Sequence, residues 1–69
     1  MSKWILIQSE NNWIFHPTVF DTYEDAYSEM IAEYNRLYDE GDEGNIHEDY
    51  ASIQSDFNNW DWRISEIKF

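Results

Sequence analysis

The chain contains no cysteine, one proline, two glycines and only four basic residues. The lack of cysteine excludes a disulfide framework and a thiolate metal site. A 69-residue domain without such staples must be held by its core, by a partner or by self-association. Against Lys3, Arg36, Arg63 and Lys68 stand fifteen acids, a net charge of −11. Repulsion at every approach argues against direct binding to nucleic acid or to an anionic membrane. Long apolar runs are missing too. No stretch approaches the roughly 20 residues of a membrane span, and Met1-Ser2-Lys3-Trp4-Ile5-Leu6-Ile7 lacks the apolar core and cleavage site of a signal peptide. The expectation is a cytoplasmic protein.

What the chain does have is aromatic side chains. Four Trp, five Tyr and four Phe, within 42% apolar residues, mark a folded domain and not a disordered acidic tail. The length sets it as a single domain over residues 1–69.

Lys3 to Gln8 reads as a strand, with Ser9-Glu10-Asn11-Asn12 as turn chemistry and Trp13-Ile14-Phe15-His16 as a second strand that Pro17 ends. The period then changes. Ala26, Tyr27, Met30, Ile31, Tyr34, Leu37 and Tyr38 recur at helical spacing behind Thr22-Tyr23-Glu24-Asp25, a capping box with Thr22 or Asp21 as N-cap. This predicts a helix from about Tyr23 to Asp39, stopped at Gly41. Gly41 to Asn45 reads as a loop. Residues 46–57 fit either a short amphipathic helix on Ile46, Tyr50, Ile53 and Phe57 or a strand over Tyr50 to Ser55. The strand is favoured, because the turn Asp56-Phe57-Asn58-Asn59 precedes the alternating Trp60, Trp62 and Ile64. Ile67 and Phe69 alternate in the opposite phase, which predicts a bulge near Ser65. The expected architecture is α+β, ββαββ, with one amphipathic helix laid across an antiparallel sheet.

No catalytic constellation emerges. His16 and His47 lie on different predicted elements, and no nucleophile elbow, phosphate loop or metalloprotease motif is present. The expectation is a protein that is not an enzyme and needs no cofactor. Asp39-Glu40-Gly41-Asp42-Glu43-Gly44 has some of the spacing of a calcium loop, but the third position is Gly41 and the twelfth is Tyr50, where ligands should stand.

The acids are unevenly spread. Eleven of the fifteen fall between Asp21 and Asp49, where Arg36 is the only base. Asp25, Glu29 and Glu33 recur at i, i+4, i+8 beside the apolar stripe, a like-charge row that disfavours the helix by a few tenths of a kcal/mol per pair. Continued through Asp39, Glu40, Asp42 and Glu43, the row forms a negative band that a basic groove built to track phosphates would accept. The plainer account is a solvated acidic face with no partner.

In size, absence of cysteine, charge and the acidic run Glu24, Asp25, Glu29, Glu33, Asp39, Glu40, Asp42, Glu43, the chain resembles the small acidic inhibitors of bacteriophages and mobile elements: anti-CRISPR, anti-restriction and other DNA-mimic proteins. The resemblance is compositional, since these proteins share no motif. It implies a bacterial host and a stoichiometric inhibitor that occupies the basic nucleic-acid-binding surface of a defence nuclease or related enzyme. The partner-binding residues would be Asp25, Glu29, Glu33, Asp39, Glu40, Asp42 and Glu43, with exposed Trp or Tyr at the edges. The alternative is a structural module, a homodimer through an uncovered aromatic sheet face, in which charge serves solubility alone.

Overall fold

In the computed structural model, which describes residues 1–68, the run Trp4–Ile7 lies inside β1 (Ser2–Glu10), the strand around which the sheet is built. One edge of β1 pairs with β2 (Trp13–Ile14) and β3 (Thr18–Phe20). The other pairs with β6 (Asn59–Lys68) in one register from Ser2–Lys68 to Glu10–Trp60. β5 (Tyr50–Gln54) continues the sheet beside β6, and β4 (Glu43–Ile46) lies beside β5. The helix α1 (Tyr23–Leu37) joins β3 to β4. The fold is a small α+β domain, a six-stranded antiparallel sheet with one helix on one face.

Local chemistry explains the turns. Asn11 and Asn12 have φ of 50° and 73°, the positive pair that a two-residue type I′ hairpin needs and that asparagine tolerates. Asn11 also joins this turn to the one between β5 and β6. Its N–H donates to the Asn59 carbonyl, its Oδ1 accepts from the Asn59 N–H at 2.8 Å, and its Nδ2 reaches Asn58 Oδ1 at 3.0 Å. At the start of α1, extended Thr22 accepts from the Asp25 N–H at 3.1 Å, which fills one of the orphan donors of the first turn.

The β1–β6 register sorts side chains onto two faces. Even-numbered Trp4, Leu6, Trp60, Trp62 and Ile64 lie on the helix side, where they meet Ala51 and Ile53 of β5 and Ala26, Met30 and Tyr34 of α1. Trp62, Met30 and Ile53 are the largest fully buried side chains. Truncating Met30 or Ile53 to alanine costs about 2–5 kcal/mol. The Trp62 indole N–H is buried with no acceptor in reach among the described residues. The opposite face has no helix over it.

Several expectations change. There are three strands on each side of the helix, not two, because β4 forms in the stretch read as a loop, and the expected strand 13–16 is only Trp13–Ile14 while a further strand, β3, forms beyond Pro17. The helix ends at Leu37, two residues earlier than expected, with Tyr38 as an extended C-cap. Gly41, at φ 96°, serves the turn beyond it. Residues 50–54 are the strand that was favoured, and not the alternative helix. The register is unbroken at Ser65, so there is no bulge: Ile67 simply belongs to the open face, opposite Lys3. Phe69 lies outside the described residues. No helix among them is long and apolar enough to cross a membrane.

Candidate partner-binding surface

Successive residues of an α-helix are rotated by 100°, so Asp25, Glu29 and Glu33 drift slowly across α1, from its outward side towards one flank. Asp25 and Glu29 are exposed, and Glu33 is half-buried. Arg36, the only base on the helix, turns back to donate from its guanidinium to the Glu33 carboxylate. That hydrogen bond holds the Arg36 pKa above its ordinary value. Among the described residues, the row therefore presents two unpaired carboxylates and one that a neighbour neutralises.

Beyond the helix, the four acids of the 39–43 segment divide in role. The Asp42 carboxylate accepts from the Asp39 N–H, its own N–H donates to the Asp39 carbonyl, and its carbonyl accepts from the Tyr38 hydroxyl, each at 3.1 Å. Asp42 is a turn residue whose charge is partly committed to the backbone. Asp39, Glu40 and Glu43 are exposed. Glu40, Asp42 and Glu43 line an open cleft of about 480 Å³ together with Asp56 of the β5–β6 turn. Asp56 stands far away in sequence, so no spacing rule pointed to it. No group of three His, Asp or Glu among the described residues is placed to hold a metal ion, and the segment that was compared with a calcium loop runs into β4 instead.

A further acidic group, also missed from sequence, surrounds the other end of the helix. The Tyr23 hydroxyl donates to the Glu48 carbonyl and so draws the β4–β5 turn onto the first helical turn. Burial pushes the Tyr23 pKa up, and Tyr27, Glu48, Asp49 and Glu24 add to the effect. The signal for this group was only the composition His47-Glu48-Asp49. Asp21, next to it, is neutralised by Lys3. Fifteen helical residues at 1.5 Å each separate the two acidic ends by about 22 Å, the length of about six nucleotides at 3.4 Å per strand step.

Aromatic side chains flank the band at one corner. Phe15 stacks on Trp60 at 6.4 Å and 12°, and both line a shallow hollow with Gln8, His16 and Arg36. Trp13, at 73% exposure, opens β2 just after the Asn11–Asn12 turn, and Phe57, at 90%, lies in the β5–β6 turn that Asn11 joins to it. His47 is remote from His16 in the fold, stacked on Tyr50 at 4.2 Å. Comparison with protein-family models, with curated protein sequences and with solved structures finds no match to this chain.

Proposed function

We propose that this protein is a non-catalytic binder of basic macromolecular surfaces, and that it inhibits a nucleic-acid-binding enzyme, such as a defence nuclease, by occupying its phosphate-tracking groove. The observation that carries this reading is an acidic surface with little internal relief. Carboxylates gather at both ends of α1 and along its outer side, and Arg36 is the only cation on the helix. A helix under selection for stability alone gains from Lys or Arg at i±4 from Glu; here that position beside Glu29 is filled by Asp25 on one side and Glu33 on the other.

The mechanism follows from charge and shape. Asp25, Glu29, Asp39, Glu40 and Glu43 meet Lys and Arg of the groove in place of phosphates, which raises the association rate and makes it fall with salt. Exposed Trp13 and Phe15 supply desolvated anchor area, which sets the residence time. Glu33 and Asp42 contribute mainly to the shape of the surface, through Arg36 and the 39–42 turn.

The test is affinity capture from a bacterial lysate at low salt, followed by a high-salt wash. Recovery of a nucleic-acid enzyme that is released as salt rises is the expected result. Recovery of the bait alone contradicts the proposal.

A further inference from the structure

The sheet face away from α1 holds Asp61 together with Arg63 and Lys3, and most of the acids lie elsewhere. By register it carries Ile5 and Ile7 of β1, Ile14 of β2, Val19 of β3, Ile67 of β6 and Tyr50 of β5. Ile14 is 68% exposed and Val19 57%. The aromatic open face of the alternative reading is thus mainly aliphatic, with Tyr50 at its side, since Trp4, Trp60 and Trp62 lie on the helix side. An antiparallel sheet that faces water on one side normally alternates apolar and polar residues. β1 does not alternate here, so its second face is built to be covered.

We propose that a second copy of this chain covers it, in an isologous dimer with the two sheets face to face and both helices outward. Charge selects this occupant. A groove rich in Lys and Arg has little to meet on this face, because the acids lie mostly on the helix and in the turns. Asp61 and Arg63 stand two residues apart on β6 and on the same face, so a two-fold axis sets Arg63 of each copy against Asp61 of the other. A hollow of about 250 Å³ lined by Ile7, Ile14, Tyr50, Asp61 and Arg63 lies on the same axis, so the hollows of the two copies face each other across it.

The experiment is light scattering and sedimentation of the full chain from about 10 µM to about 1 mM, at 0.05 and 0.5 M salt. The expected result is twice the monomer mass, with the dimer fraction rising with salt as the repulsion between two −11 chains is screened. Val19→Lys and Ile14→Lys, both at exposed positions, should give monomers with an unchanged circular dichroism spectrum. Asp61→Arg alone should weaken the dimer, and adding Arg63→Asp should restore it. A monomer across the whole range overturns the proposal, and so does a dimer that persists in Val19→Lys. Because salt strengthens this association and weakens capture of a basic partner, the two proposals fail independently.

Discussion

Arg36 reaches back to Glu33, one helical turn before it, and so neutralises the most buried carboxylate of the row while leaving Asp25 and Glu29 free. The contact makes Glu33 a poor position at which to probe partner binding, because reversing its charge also sets two cations side by side. Arg36→Gln is the cleaner change. It makes the outer surface more negative without touching the core, so association with a basic partner should become faster at low salt, with the difference lost at high salt. Stopped-flow kinetics at two ionic strengths reads this directly, and slower association would mean that Arg36 itself contacts the partner.

Asp25→Lys with Glu29→Lys reverses the two exposed, unpaired acids of the helix. The backbone N–H of Asp25 that Thr22 caps is unaffected, so stability should change by no more than about 1 kcal/mol, from the helix dipole. Partner binding at low salt should fall by about tenfold or more. Thermal melts and titration calorimetry separate the two effects.

Gly44 sits in β4 under the stacked rings of Tyr34 and Tyr38, whose centroids are 5.4 Å apart. A Cβ there would lie 1.9 Å from the Tyr34 hydroxyl oxygen, 2.9 Å from Tyr34 Cζ and 3.0 Å from Tyr38 Cε2. A tyrosine ring cannot bend away from its own hydroxyl, so Gly44→Ala should cost about 1–3 kcal/mol by overpacking. Gly41→Ala meets nothing within 4 Å but inherits a φ of 96°, and should cost about 1–2 kcal/mol from backbone conformation alone. Urea denaturation of both variants checks the ranking.

Tyr23 and Tyr34 both have phenol pKa values raised above 10.0, in each case first by burial. A group raised in the folded state stabilises fully below its unfolded pKa, and that contribution is lost as pH rises through the folded value. Stability should therefore be insensitive to these phenols at neutral pH and fall above about pH 10. Tyr23→Phe should remove its part of the fall and cost about 1 kcal/mol at neutral pH, the hydrogen bond to the Glu48 carbonyl. Denaturation across pH 7–11 gives both numbers.

These positions also mark what was legible in the sequence. The helix, its Thr22 cap and the alternation of Trp60, Trp62 and Ile64 were readable because each obeys a local period, and so was the Asn11–Asn12 turn. β4 was hidden because Glu43-Gly44-Asn45-Ile46 shows no apolar alternation: at Gly44 the core position is filled by Tyr34 of the helix and by Tyr38 just beyond it. Ile67 misled for a related reason. A change of apolar phase within one strand looked like a bulge, whereas two faces of one regular strand are both apolar. On the acidic surface, the helical row could be found by spacing. Asp56, Glu48 and Asp49 could not, because the turns that carry them are folded towards α1 by contacts such as Tyr23 to Glu48.

The most direct test of the central claim is competition. An enzyme captured from lysate by the wild-type protein at low salt is challenged with short duplexes of DNA and of RNA, beside the Asp25→Lys, Glu29→Lys protein as a control. The account predicts that one of the duplexes displaces the wild-type protein stoichiometrically and that the variant captures nothing to displace. Capture that neither duplex disturbs, and that survives the charge reversal, would contradict it.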